Sequence, residues 1–142
     1  MSEQNKMLVR RDVQEVWNRG NYVLVDQLVA SDYVGHQPRN EANGREGYKQ
    51  FFVMLRAGFP DIHFTVDDQI AEGDKVVTRW TARATHKGQF QGIPPTGKRG
   101  EVTGTTIYRV ANGKIVEGWT NVDDLGMLQQ IGAIPTPGPI GE

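Results

Sequence analysis

Two carboxylates share one face of a strand-like segment near the end of the chain. From Lys114 to Asp123 polar and apolar residues alternate, and alternation places every second side chain on the same face. One face carries Ile115, Glu117, Trp119, Asn121 and Asp123, and the other carries Val116, Gly118, Thr120 and Val122. Desolvation in an apolar pocket raises the pKa of a carboxyl group, which lets it carry a proton near neutral pH. If the first face lines a pocket, Asp123 is a candidate general base and acid.

Asp123 also has a purely structural interpretation. The residues LGMLQQIG that follow predict a short helix, and an aspartate immediately before a helix commonly caps its N-terminus. Either Asp123 or Asp124 could take that position. Because neighbouring residues on a strand point in opposite directions, Asp123 could face inward while Asp124 caps the helix. The residues alone leave catalysis and capping open.

Three histidines lie in three separate segments of the chain. His86 ends a long strand-like segment and His36 ends a short one, so both could reach a pocket mouth as hydrogen-bond partners. Each could equally be an ordinary exposed or partly buried histidine. His63, beside a Phe-Pro-Asp turn, is interpreted as a surface residue. No HxH or HExxH spacing occurs and the chain has no cysteine, so the sequence disfavours a metal site.

Two arginines and several aromatic residues complete the candidates. Arg79 could pair with Glu117, and either Arg79 or Arg109 could bind a substrate carboxylate, although a solvated strand face is the more common explanation for such residues. The aromatic residues at helical or strand spacing are interpreted as core, namely Trp17, Tyr48, Phe51, Phe52 and Trp80. No phosphate-binding loop and no Gly-x-Ser-x-Gly nucleophile motif is present.

These residues must be positioned by helices that precede a sheet. Apolar residues at helical spacing predict helices around residues 9–17, 22–29 and 45–56, and a short extended piece runs from Tyr33 to His36 and ends at Pro38. Alternation predicts strands over 63–70, 76–86, 101–110 and 114–123, with an ordered loop at 87–100 and a terminal helix at 125–131. Asn112-Gly113 is a strong hairpin signal. The pattern predicts an α+β domain in which a curled antiparallel sheet packs on N-terminal helices and encloses an internal pocket.

Length and composition restrict the possible functions. The chain has 142 residues, which we interpret as one domain over residues 1–134 and an extended tail over 135–142. The formal net charge of −1 gives no general attraction to nucleic acid or to acidic membranes. No apolar stretch approaches the roughly 20 residues of a membrane span, and a cytoplasmic location is expected. The absence of cysteine excludes disulfides and a thiol nucleophile.

An ordered set of motifs covers nearly the whole chain, from about Asp12 to Gly132. The pieces are DYVGHQP (32–38), GREG (44–47), FPD (59–61), AEGDKVV (71–77), THKG (85–88), GIPPTGK (92–98), GKIVEGW (113–119) and DDLGMLQQIG (123–132). Together they resemble the SnoaL-like polyketide cyclase family, also called the ester cyclase family. That family belongs to the nuclear transport factor 2-like superfamily of cone-shaped α+β domains.

The resemblance implies a pocket that works without cofactor or metal. Cyclases of this family close a ring of an aromatic polyketide ester by intramolecular aldol condensation, and the position of their catalytic aspartate corresponds to Asp123. The resemblance makes Trp119 and Glu117 residues that shape the cavity. His36, His86, Arg79 and Tyr33 are further lining candidates. It also implies a small hydrophobic or aromatic ligand and a homodimer or homotetramer, to which Val and Thr residues on the outer sheet face could contribute.

One departure from the family pattern bears on the substrate. Some family cyclases carry a histidine near the position of Arg109, and an arginine there would change charge and donor geometry. Two other functions stay open at this point. An epoxide hydrolase or isomerase of the same fold would need Arg79, Asn121 or Glu117 grouped with Asp123. A non-catalytic protein that binds a hydrophobic small molecule would need only the pocket.

Overall fold

A six-stranded curled sheet forms the body of the protein in the computed structural model, which describes residues 2–37 and 40–135. The strands are β1 (Val29–Gln37), β2 (Asn40–Asn43), β3 (His63–Glu72), β4 (Lys75–Thr85), β5 (Arg99–Ala111) and β6 (Lys114–Val122). Their order in the sheet is β2-β1-β6-β5-β4-β3. The pairing is antiparallel except between β1 and β6, which run parallel. The α+β class is therefore confirmed, but the sheet is mixed rather than wholly antiparallel.

The helices pack against this sheet in the order that the apolar spacing predicts. The helical segments are α1 (Ser2–Arg11), its π-helical continuation Asp12–Asn18, a 3₁₀ turn Tyr22–Leu24, α2 (Val25–Leu28), α3 (Gly44–Gly58) and α4 (Asp124–Gln130). The predicted second helix was too long at its end. Val29 is already extended, with φ −115° and ψ 133°, and it opposes Ile115 of β6. Strand pairing therefore ends the helix at Leu28. Within the described ranges, no helix is both long and apolar enough to cross a bilayer.

The apolar core lies between the helices and the inner face of the sheet. Val9 and Val16 of the first helix and Tyr48 and Phe52 of α3 are buried there, at spacings that place each pair on one helical face. A second cluster around Trp80 fills the other end of the sheet. Full burial of one such side chain stabilises the fold by about 1.5–3 kcal/mol relative to exposure.

A bulge in β6 decides which side chains reach the inner face. Arg109 of β5 opposes Glu117, and the next residue of β5, Val110, opposes Ile115, so Val116 is an extra residue on β6. One extra residue reverses the alternation of side chains along a strand. Ile115 is fully buried in the core, whereas Glu117 points to the outer face of the sheet. Unbroken alternation from Ile115 to Asp123 was therefore a wrong assumption.

The segment between β4 and β5 is tied down by backbone hydrogen bonds. The N–H groups of Lys87 and Gly88 both donate to the carbonyl of Gly58, each at 3.0 Å. A Cβ atom added at Gly88 would lie 1.9 Å from the carbonyl oxygen of Ala57, so only glycine fits there without movement of the backbone. The predicted strand end at Pro38 and all but the first residue of the predicted tail, 135–142, lie outside the described residues.

Candidate active site

The concave face of the sheet and the helices enclose an apolar cavity. Its walls include six large aromatic side chains, which are Trp17, Phe51, Phe59, Phe64, Trp80 and Phe90. Trp17 makes edge contacts with four neighbouring rings at centroid distances of 5.4–6.0 Å, which holds the wall rigid. The interpretation of Trp17, Tyr48, Phe51 and Trp80 as core alone was therefore incomplete. Such a surface suits a flat apolar ligand.

Few polar groups interrupt these walls, and the best defined form one hydrogen-bonded chain. The indole N–H of Trp80 donates to Oγ1 of Thr106 at 3.0 Å, and that oxygen lies 3.0 Å from Oγ1 of Thr120. At the open end, where the lining residues are exposed, the Gln130 side chain clamps α4 to β5. Its oxygen accepts from the Glu101 backbone N–H at 2.6 Å, and its nitrogen donates to the Glu101 carbonyl at 2.7 Å.

The two neighbouring aspartates at the end of β6 occupy different positions. Asp123 is exposed and caps α4, because its Oδ1 accepts from the backbone N–H of Gly126 at 2.9 Å. Asp124 is half-buried and belongs to the cavity lining, next to Val122 and Met127. The inward orientation predicted for Asp123 is wrong, and the cap that was its alternative is present. Its catalytic role stays a prediction. Asp124 is the half-buried acid of the cavity lining, whereas Glu101, the other acid of that lining, is exposed and pairs with Arg83.

Four of the predicted site residues meet on the outer face of the sheet, together with Glu41. His36 Nε2 lies 2.8 Å from Glu117 Oε2, and His36 Nδ1 lies 3.1 Å from Glu41 Oε1. Arg109 Nε donates to the other oxygen of Glu117 at 3.1 Å. The His36 ring stacks on Trp119, with centroids 5.5 Å apart and planes 16° apart. The sequence analysis gave these residues as pocket candidates, but they lie on the side of the sheet opposite the cavity.

The remaining predicted residues divide between the two faces. Arg79 and Asn121 are exposed on the outer face, and Arg109 takes the place at Glu117 that the sequence suggested for Arg79. Tyr33 lines the cavity. His86 is fully buried behind Phe59, with ring centroids 5.3 Å apart, and does not belong to the lining.

His86 anchors the loop that follows β4. The backbone N–H of Thr96 donates to its Nδ1 at 3.3 Å, so the neutral ring carries its proton on Nε2. That Nε2 has no hydrogen-bond partner among the described residues. In the part of the chain that the structure describes, no three His, Asp or Glu side chains come together as they would around a metal ion.

One buried acid was missed by the sequence analysis. Asp12 is fully buried, and its Oδ2 accepts from the hydroxyl of Tyr48 and from the indole N–H of Trp17, the latter at 3.2 Å. The indole N–H also lies 2.7 Å from the Tyr48 oxygen. Burial raises the pKa of Asp12 to about 6, although both hydrogen bonds oppose the rise. A signal was present, because Asp12 lies between Val9 and Val16 on the apolar stripe of its helix.

The pairing of His36 yields a prediction on the outer face. The hydrogen bond with Glu117, followed by the one with Glu41, raises the pKa of His36 above its usual value. We expect the Glu117→Gln variant to lower this pKa, and Glu41→Gln to lower it less. Because the pKa of His36 is higher in the folded protein than in the unfolded chain, the pairing stabilises the fold below about pH 6.5. This stabilisation is lost as the pH rises through the raised pKa. Titration of the His36 ring protons by NMR measures both shifts, and an unchanged value in Glu117→Gln would contradict the assignment.

Known proteins share both the sequence and the fold. The profile of the SnoaL-like polyketide cyclase family matches residues 7–131. Aklanonic acid methyl ester cyclase DnrD of Streptomyces peucetius is 29% identical over 140 residues, which cover 94% of each chain.

Two solved structures extend the comparison to the fold. A SnoaL-like protein from Jannaschia sp. CCS1 superposes with a TM-score of 0.87 at 26% identity, over 94% of this chain and 95% of that one. IdmH from Streptomyces antibioticus superposes with a TM-score of 0.79 at 36% identity, over 91% of this chain and 99% of that one. The family match spans most of the chain, and the chain belongs to the SnoaL-like polyketide cyclase family.

Proposed function

We propose that this protein closes a ring of an aromatic polyketide ester by an intramolecular aldol reaction, without cofactor or metal. The observation that carries the proposal is an aromatic-walled cavity with the half-buried Asp124 among its lining residues. Trp17, Phe64 and Trp80 offer flat apolar contact to the fused rings of such a substrate. The family match and the cyclase name of the Streptomyces peucetius relative support the same reaction class.

The reaction needs one group that removes and returns a proton. In the proposed step, the Asp124 carboxylate takes a proton from a carbon that lies between two carbonyl groups. The resulting enolate is delocalised, so a single carboxylate is a sufficient base. Its carbon attacks a second carbonyl carbon of the same molecule and forms the C–C bond. The electron pair of that carbonyl moves to oxygen, and the alkoxide takes the proton back from Asp124.

The apolar walls of the cavity favour this chemistry over reaction with water in two ways. The apolar walls exclude solvent from the enolate, and they hold the two reacting ends of one chain close together. Asp123 remains the alternative base that the family resemblance suggests. For Asp123 to act, its side chain would have to leave the cap of α4, where it accepts from Gly126.

The product mass distinguishes the proposed reaction from its competitors. Purified protein is incubated with aklanonic acid methyl ester in the presence of EDTA, and the products are followed by liquid chromatography and mass spectrometry. We expect a new product of unchanged mass, because ring closure by aldol addition is an isomerisation, at a rate at least about 10³-fold above that with heat-denatured protein. A product lighter by one CH₂ unit, as hydrolysis of the methyl ester to the free acid gives, would indicate a hydrolase. Binding without any product would indicate a ligand-binding protein, and either result would overturn the proposal.

A further inference from the structure

We propose that Tyr48 and Asp12 form a subsite for a carbonyl oxygen at the closed end of the cavity. In this subsite the Tyr48 hydroxyl donates a hydrogen bond to the ligand when Asp12 holds a proton, and turns back to Asp12 when it does not. The inference builds on the proposed function in one respect, since an aldol reaction places negative charge on a carbonyl oxygen. A donor aimed at that oxygen would stabilise the transition state.

The position of the cluster supports a role toward the cavity. Tyr48 and Trp17 belong to the cavity lining, whereas Asp12 lies behind them and is fully buried. Asp12 comes from the π-helical continuation of α1, and Tyr48 comes from α3. Two further phenols, Tyr33 and Tyr108, line the same end of the cavity and face the acid. An acid placed behind a lining hydroxyl can control that hydroxyl without touching the ligand.

Counting donors and acceptors gives two states of the hydroxyl. When Asp12 is a carboxylate, the only proton of the Tyr48 hydroxyl goes to Oδ2 of Asp12, and none is left for a ligand. A proton on Oδ1 of Asp12 would find no acceptor among the described residues, so protonation favours Oδ2, whose O–H then donates to the Tyr48 oxygen. The indole N–H of Trp17, 2.7 Å from that oxygen, occupies the second lone pair. The Tyr48 proton must then point away from both donors, which leaves it available to a ligand in the cavity that Tyr48 lines.

The cluster is suited to hold this proton near neutral pH. Oδ1 of Asp12 is buried and has no hydrogen-bond partner in the described ranges, which disfavours the charged carboxylate. The titratable groups that face Asp12 are Tyr33, Tyr48 and Tyr108, and burial raises the pKa of each phenol above its usual value. Asp12, with a pKa of about 6, is therefore the member of the cluster that changes charge between pH 5 and pH 8.

A pair of small ligands that differ in one carbonyl tests the subsite. The probes are 2-acetylnaphthalene and 2-ethylnaphthalene, and binding is followed by quenching of tryptophan fluorescence at pH 5 and pH 8. We expect the wild type to prefer the ketone by about five- to tenfold at pH 5 and by less than about twofold at pH 8, as one hydrogen bond allows.

Three variants assign the ketone preference to particular side chains. Tyr48→Phe is expected to lose the ketone preference at both pH values and to keep its affinity for the hydrocarbon. Asp12→Asn, whose amide can donate to the Tyr48 oxygen but cannot ionise, is expected to keep the preference at both. Tyr22→Phe, which removes an exposed hydroxyl outside the cavity lining, is the matched control and should behave as the wild type.

The outcomes that overturn the inference do not depend on turnover. A ketone preference that survives in Tyr48→Phe would refute the subsite. A preference that still changes between pH 5 and pH 8 in Asp12→Asn would refute the role of Asp12. If Asp12→Asn does not fold, Tyr48→Phe still decides whether the subsite exists. If the ketone preference follows the expected pattern but no cyclised product forms, the proposed function fails and the subsite stands.

Discussion

Replacing Asp124 by asparagine is expected to lower the rate of cyclisation by about 10³-fold, within the 10²–10⁴-fold range typical of general-base catalysis. Asn has nearly the same shape but cannot accept the proton that the reaction removes from carbon. Asp124 is the half-buried acid among the residues that line the cavity, while the cap of α4 comes from Asp123. Asp124 lies in the first turn of α4, where a carboxylate interacts favourably with the helix dipole, so its loss should lower the unfolding free energy by no more than about 1 kcal/mol. Initial rates of isomer formation and thermal unfolding by circular dichroism give both numbers.

Asp123→Asn is the matched control for this prediction. Asparagine caps a helix about as well as aspartate, so this variant should keep both its stability and its turnover. Asp123→Ala removes the hydrogen bond to the Gly126 N–H and should cost about 1 kcal/mol of unfolding free energy. The opposite pattern, with Asp123→Asn inactive and Asp124→Asn active, would refute Asp124 as the base. It would show that Asp123 leaves the cap when substrate binds.

Local patterns in the sequence were sufficient for most of the elements. The hairpin predicted at Asn112-Gly113 is present, and both residues have the positive φ that such a turn requires, 53° and 74°. Tyr48 and Phe52 are buried on one face of α3, as their spacing predicts. These features depend on residues a few positions apart in the chain, which is the range over which periodicity carries information.

The orientation of β6 could not be obtained in the same way. Strict alternation couples Ile115 to Asp123, and burial of the first then implies that the second faces inward. The bulge at Val116 breaks this coupling, and its sequence contains no glycine or proline to reveal it. The residue types on the two faces of β6 indicate its orientation better than alternation counted from Ile115. Thr120 and Val122 suit an apolar cavity, whereas the stripe that contains Glu117 suits the solvent side.

The buried acid shows a second limit of sequence reasoning. Asp12 and Tyr48 are 36 positions apart, and only the packing of α3 against the first helix brings them together. A polar residue on an apolar helical stripe signals that a buried partner exists, but it does not identify the partner. The partner of His86 could not be identified from the sequence either. His86 was one of two candidates for the pocket mouth, and its hydrogen bond with Thr96 holds it inside the loop.

Replacing Gly104 by valine is expected to remove one wall of the cavity. A Cβ atom at Gly104 would lie 2.3 Å from the nearest atom of the Trp80 indole, which covers this glycine. The indole would have to move, and it would lose its hydrogen bond to Thr106 and its edge contact with Phe64, whose centroid is 5.3 Å away. Overpacking and the lost hydrogen bond together should cost about 3 kcal/mol of unfolding free energy. Chemical denaturation measures this value, and binding of 2-acetylnaphthalene should weaken about tenfold or more as the wall is displaced.

The steric origin of this effect can be separated from the effect of valine itself. Thr103→Val introduces the same side chain at an exposed position of the same strand and should change stability by less than about 0.5 kcal/mol. Trp80→Phe places a smaller ring over Gly104, so the double variant Gly104→Val with Trp80→Phe should be less destabilised than the sum of the two single variants. Strict additivity would mean that the indole does not lie against Gly104. Trp80 forms the cavity wall nearest the middle of β5. If its indole does not lie there, the cavity lacks an aromatic surface on which the proposed ligand class depends.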